Sequence, residues 1–159
     1  MAGSPESEAR GRIAVAAGVL WARDRMLAGR RRATDTHPLE WELPGGKLEA
    51  GEDPRAALVR ELREELDVEA TIGRVLHEVT HRYDDGRSVA ITFMEVTAID
   101  RAPANRAFAE IRWVPREELH PPDFLAADRA FIDALRSGAI VPSATRRPRS
   151  PARGRGPLP

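Results

Sequence analysis

Residues Arg60-Glu61-Leu62-Arg63-Glu64-Glu65 carry three carboxylates at i, i+3 and i+4. On an α-helix that spacing brings Glu61, Glu64 and Glu65 to one face. Carboxylates packed this closely repel one another unless a cation sits among them. Hard divalent ions such as Mg²⁺ prefer oxygen ligands, so the trio reads as a metal-ligating face. Taken alone, the same three residues also fit a solvated amphipathic helix with i,i+4 ion pairs.

The flanking residues position that face. Trp41-Glu42-Leu43-Pro44 reads as a short strand leading into Gly45-Gly46. Gly51-Glu52-Asp53-Pro54 then reads as a helix start, with Asp53 as N-cap and Pro54 at the first helical position. The order is strand, glycine loop, helix, with the acids about two turns in. Val59, Leu62 and Leu66 cluster away from the acids. One side of the helix is predicted to bury in a core while the other faces a cleft.

Further elements follow from periodicity. Ile13 to Trp21 predicts a buried strand, with Arg25 to Gly29 as its hairpin partner. Arg30 to Glu40 reads as a loop. Ala70 to Tyr83 and Ser88 to Ala98 predict strands about a His-Arg-Tyr-Asp-Asp-Gly turn. A short strand is expected over Phe108 to Val114, and a helix over Phe124 to Leu135 ended by Gly138. His37, His77, His81 and His120 show no metal-ligand spacing and read as surface or loop residues.

At 159 residues one domain is expected, over 12–138. Residues 1–11 read as an unstructured lead and 139–159 as an unstructured, basic, Pro/Arg-rich tail. From residue 142 the tail holds five arginines and no acid. It offers weak contact to nucleic acid or a membrane, or is a solvated extension of no fixed role. Arginine plus lysine and aspartate plus glutamate balance at 25 each, so no global charge draws the chain to nucleic acid. The absence of cysteine excludes disulfides, thiolate metal sites and a cysteine nucleophile. MAGSPESEARGR lacks the apolar run of a signal peptide and no stretch reaches transmembrane length, so a cytoplasmic protein is expected.

The segment Gly45 to Val68 resembles the Nudix box, G, five residues, E, seven residues, R-E-U-x-E-E-x-G-U, with U a bulky aliphatic. Gly46, Glu52, Arg60, Glu61, Leu62, Glu64, Glu65 and Val68 fall in place. Asp67 stands where the family has its last glycine, just after the helix, so a small stability cost is expected there. Trp41 to Lys47, Ile111-Arg112-Trp113-Val114-Pro115 and Leu125-Ala126-Ala127-Asp128 extend the resemblance to the MutT branch. It implies an α/β fold, an α/β/α sandwich around a mixed β-sheet. It also implies Mg²⁺-dependent hydrolysis of nucleoside triphosphates to monophosphate and pyrophosphate, with Mn²⁺ as a second cation, in a monomer or homodimer.

By that resemblance Glu61, Glu64, Glu65 and the Gly45 carbonyl are the expected metal ligands. Arg60 orients Glu61 and Glu52 braces the loop. Arg30, Arg87 and Asp128 are expected to contact nucleotide. Asp128 either reads a base edge or caps its helix, and Lys47 either pairs with Glu49 or holds phosphates. Ala107-Phe108 departs from an EH-x-E-I-R-W pattern that often supplies a further glutamate, which leaves base duty to Glu61 or Glu64. Leu43 replaces an aromatic. Three readings follow. The first is a pyrophosphohydrolase that cleanses the nucleotide pool of 8-oxo-dGTP. The second is a hydrolase of CTP, dCTP, ADP-ribose or a dinucleoside polyphosphate. The third is a non-catalytic nucleotide sensor.

Overall fold

The computed structural model describes residues 11–148. Eight strands form two sheets: β1 (Arg12–Val19), β2 (Trp21–Ala22), β3 (Arg25–Arg30), β4 (Trp41–Glu42), β5 (Gly45–Lys47), β6 (Ala70–Arg82), β7 (Ser88–Ile99) and β8 (Glu110–Pro115). Two helices, α1 (Pro54–Leu66) and α2 (Arg129–Ser137), cover them. The first sheet runs β5-β1-β7-β6 and is mixed, with β1 parallel to β7 and the other pairs antiparallel. In the second, β3 pairs with β2, β4 and β8. Arg25 to Gly29 therefore hairpins only with the two residues of β2, while Ile13 to Val19 belongs to the other sheet. The chain changes sheet at Leu20.

Strand alternation builds two cores. Ala17, Val19, Met26, Ala28, Ile91 and Phe93 pack with Phe131, Ile132 and Leu135 of α2. Ala16, Leu20, Leu27, Met94 and Val96 pack on the other side with Ala57, Leu58, Leu62 and Leu66 of α1. Successive strand residues point to opposite faces, so the central strands are apolar on both, as a sheet covered on both faces requires. The buried stripe of α1 uses Leu58 where Val59 was expected, since i, i+4, i+8 from Leu58 aligns with Leu62 and Leu66. Asp53 caps α1, its side chain accepting from the Arg55 N–H at 3.3 Å. Asp67 ends it in the left-handed conformation, φ 55° and ψ 41°, with its carboxylate on Arg106. The α2 helix begins later than the apolar spacing predicts, at Arg129, because Leu125 is extended and Ala126–Asp128 form a 3₁₀ turn. His77 is no surface residue. It is half-buried on β6 and stacks on Phe131 at 5.9 Å between centroids.

The tail expected from residue 139 is instead ordered structure through 148. Thr145 is buried, donates its hydroxyl to the Val96 carbonyl at 2.6 Å and accepts from the Trp21 N–H at 3.0 Å. The Thr145 N–H returns a bond to the Trp21 carbonyl at 2.7 Å, and Arg146 exchanges backbone bonds with Thr97 and Ile99. Composition predicts disorder because this segment has few apolar groups to bury, but its backbone and one hydroxyl satisfy sheet edges that would otherwise be orphaned. The lead 1–10 and residues 149–159 lie outside the described residues.

Thr145→Val keeps the shape and removes the hydroxyl, leaving the Trp21 N–H and the Val96 carbonyl without it. A loss of about 2–4 kcal/mol is expected, read as a lowered urea midpoint at unchanged m-value. An unchanged midpoint would show that this bridge adds nothing.

Candidate functional site

The glycine loop and α1 meet side on. At Gly45, φ is 148° and a Cβ would lie 2.1 Å from the Ala16 carbonyl oxygen. At Gly46 a Cβ would lie 2.4 Å from the Glu61 carboxyl carbon. No other residue fits between β1 and the helix. Glu65 accepts from the Gly45 N–H at 3.0 Å. Two carboxylates of the i, i+4 pair therefore end on the two glycines.

Arg60 organises what surrounds them. Its guanidinium donates to both oxygens of Glu52 at 3.0 and 2.9 Å, to Glu61 at 2.9 Å and to the Lys47 carbonyl at 3.1 Å. Glu64 lies 3.6 Å away. Glu52 also accepts from the Glu49 N–H at 3.0 Å, which braces the loop. Hydrogen bonds from Arg60 and the Glu49 backbone lower the Glu52 pKa to about 2. Burial raises that of Glu61 against the pull of Arg60. Glu65 is pushed up to about 9, by burial first and then by the charges of Glu61, Glu42 and Glu64, against the Gly45 hydrogen bond.

Gly45, Gly46 and Lys47 line a cavity of about 380 Å³. Asp128, Glu42, Arg31, Arg87 and Tyr83 line the remainder. Asp128 is 5% exposed and makes no helix-capping bond with its side chain. Burial, then the charge of Glu42, raises it to about 7, while the Leu43 N–H opposes the shift. Lys47 has no ion pair to Glu49 among the described residues. Arg87, also on the wall, is held by Asp85 at 2.6 Å.

Arg30 lies outside the cavity, contrary to expectation. It ends β3 opposite Trp41 and Glu110, and its side chain pairs with Glu110 at 3.6 Å and stacks over Trp41. One residue further the chain flips face. Arg31 enters the cavity instead, bonded to Glu42 at 2.9 Å and to the Thr36 carbonyl at 2.6 Å. Sequence reasoning missed Arg31, Glu42 and the near-parallel rings of His37 and Tyr83 at 6.4 Å. The alternation of β4 after Trp41 was the available signal for Glu42. Phe108 is buried, its ring filling the space over Gly29, and Glu110 faces Arg30 and Arg112.

The donor set suits a hard divalent cation in kind. It is all oxygen, crowded, and under-neutralised, with Arg60 as the cation bonded into it. Among the described residues no three such side chains are already drawn around one point. Glu61 is held by Arg60 and Glu65 by Gly45, while Glu64 is 58% exposed. No helix among the described residues is long and apolar enough to cross a membrane.

A family model of the NUDIX domain matches residues 11–135. The chain is 46% identical over 124 residues to the CTP pyrophosphohydrolase of Escherichia coli strain K12, covering 77% of this chain and 90% of that protein. It is 39% identical over 95 residues to a putative 8-oxo-dGTP diphosphatase 2 of Mycobacterium tuberculosis strain H37Rv, covering 60% and 67%. Its structure is similar to the solution structure of the E. coli ORF135 protein, with TM-score 0.70, 29% identity, and coverage of 79% of this chain and 89% of that one.

The raised carboxyls set a pH dependence. Folded Glu65 and Asp128 keep protons that the unfolded chain releases near pH 4, so the unfolded state binds fewer protons and stability falls as pH rises. The Asp128 share is lost by about pH 7 and the Glu65 share by about pH 9. In EDTA, Tm is expected to decline from pH 5 to 9, and Glu65→Gln to flatten the decline above pH 7. Added Mg²⁺ should raise Tm more at pH 8 than at pH 6. A Tm in EDTA that ignores pH would contradict this electrostatic picture.

Proposed function

The chain belongs to the NUDIX family, and from that premise we propose a Mg²⁺-dependent nucleoside triphosphate pyrophosphohydrolase, MutT-like, converting 8-oxo-dGTP and water to 8-oxo-dGMP and pyrophosphate. The observation that carries this reading is the pair of carboxylates, Glu61 and Glu65, seated on Gly45-Gly46, two residues that line a nucleotide-sized cavity. Burial among like charges raises the Glu65 carboxyl to about 9, so added positive charge beside it is favourable. Glu61, Glu64, Glu65 and the Gly45 carbonyl would hold Mg²⁺, and Mn²⁺ shares that ligand chemistry. Bound there, the ion supplies phosphate-charge neutralisation and an acidified water.

The remaining work falls to the chain. Arg60 fixes the Glu61 carboxylate through a charge-assisted bond. Glu61 or Glu64 takes the proton of the attacking water, since Ala107 stands where a further glutamate is often found. Lys47 and Arg87 hold phosphate oxygens, and Asp128 meets the base edge.

The identity to a CTP pyrophosphohydrolase favours a second reading, in which the base is cytosine. Asp128 gives the two bases opposite requirements. An ionised carboxylate accepts from the ring N–H and amino group of a guanine edge. A protonated one donates to the ring nitrogen of cytosine while accepting from its amino group. With Asp128 near pH 7, the ratio of kcat/KM for CTP over 8-oxo-dGTP is expected to rise as pH falls through about 7. Asp128→Asn should remove that trend. A pH-independent ratio in the wild type would take Asp128 out of base reading.

The reaction itself is tested with Mg²⁺ on 8-oxo-dGTP, dGTP, CTP, dCTP and ADP-ribose, following pyrophosphate against phosphate. Glu64→Gln is expected to lower kcat by about 10²–10⁴-fold with an unchanged Tm. Full activity in that variant would remove Glu64 from the site. Nucleotide binding with no turnover of any compound would favour the sensor.

A further inference from the structure

A second cavity shares no residue with the first. It is a groove of about 610 Å³ at the seam between the sheets, lined by Arg23, Arg25, Trp113, Thr145 and Arg147 with Ala22. Its lining holds three cations and no carboxylate. Among the described residues none of the three arginines has an ion pair or a side-chain hydrogen bond, and Asp24, the nearest acid in sequence, is taken by Arg116.

Their convergence follows from the fold. Arg25 and Leu27 lie two apart on β3, and Trp113 of β8 stands opposite Leu27, so Arg25 and Trp113 share one face. The half-buried indole packs on the α1-side core and lines the groove. Arg23 sits at the β2–β3 turn with φ 52°, followed by Asp24 with φ 59°. Such two-residue turns favour asparagine or glycine, so an arginine occupies this tip against backbone preference. Arg147 is carried in by the strap that Thr145 fastens to Trp21 and Val96. The chain leaves the described residues one position later, at Pro148, and Arg149, Arg153 and Arg155 follow in sequence with no acid.

Guanidinium groups present planar forks that match phosphate oxygens, and an indole offers a stacking surface to any base. We propose that this groove binds a single-stranded polynucleotide, its phosphates on Arg23, Arg25 and Arg147 and one base against Trp113. The indole selects this occupant over an acidic membrane surface, which has no planar group to stack.

The test is fluorescence anisotropy of the full chain with labelled 15-mers of deoxythymidine and of uridine, in EDTA and across a salt series. Vesicles containing phosphatidylglycerol form a separate arm. Both or either oligonucleotide should bind at low salt. The triple variant Arg23→Ser, Arg25→Ser, Arg147→Ser should bind at least about 10-fold more weakly, with a slope of log K against log salt shallower by about 2. Its nucleoside triphosphate hydrolysis should be unchanged. Trp113→Phe should weaken binding about 5-fold or more while keeping the slope. The proposal falls if the wild type binds no oligonucleotide, if the triple variant binds as the wild type does, or if vesicles bind and oligonucleotides do not. It also falls if the oligonucleotide competes with nucleoside triphosphate, which would place it in the first cavity. Because binding is read in EDTA, its failure is separable from failure of the hydrolase reading.

Discussion

Anionic crowding at the glycine loop is the constraint around which the site is arranged. Glu52, Glu61, Glu64 and Glu65 approach Gly45-Gly46 from one helix and the loop before it, and the Arg60 guanidinium is the cation among them. Its fork joins the loop carbonyl of Lys47, the brace Glu52 and the helix residue Glu61 in one set of bonds. A lysine carries the same charge without the fixed fork and would not hold three acceptors in register. Glu52 and Glu61 raise the pKa of Arg60 in return, so the cation is locked in its charged form. The loop cannot move away from the helix without breaking several charge-assisted bonds together.

That arrangement demands a rigid floor, which the two-faced strands supply. Ala16 and Ala17 of β1 sit directly behind Gly46 and Gly45 in the strand register. Their small side chains let β5 lie close against β1, and Ala16 faces α1 while Ala17 faces α2. A larger residue at Ala16 would press on the helix that carries the acids, and one at Ala17 on α2. The strap over 143–146 acts past the end of β1, where β7 and β2 would otherwise leave backbone groups unpaired. Long-range order in this fold thus depends on hydrogen bonds from a segment that contributes almost nothing to either apolar core.

What could be read from sequence was whatever depends on local spacing. The cap at Asp53, the left-handed stop at Asp67, the helix between them and the bracing of Glu52 all follow from a few neighbouring residues. The longer strands were legible from their apolar runs, but their division between two sheets was not. Pairing was not, because nothing local in Ile13 to Val19 distinguishes a hairpin with Arg25 to Gly29 from a parallel ladder with β7. Arg30 and Arg31 illustrate the same limit at one site, where a one-residue difference decides between stacking on Trp41 and entering the cavity. Thr145 was hidden for a different reason. Its value lies in a hydroxyl placed between two distant backbones, and composition carries no trace of that.

Glu65, on the Gly45 N–H, and Asp128, in the lining of the first cavity, are both raised by burial, while the remedy differs. Glu65 is surrounded by further carboxylates, and one proton on it still leaves Glu61 and Glu64 sharing the single guanidinium of Arg60. Only added positive charge relieves a group of that size. Asp128 has a single anionic neighbour, Glu42, and Arg31 already compensates that residue. One proton, or one N–H donor from a ligand, is then sufficient. Under the proposed function, the group that needs a cation suits phosphates brought in with a metal, and the group that needs a single donor suits a base edge. Under that same function, a nucleotide with its phosphates at the glycine loop and its base at Asp128 meets both requirements at once.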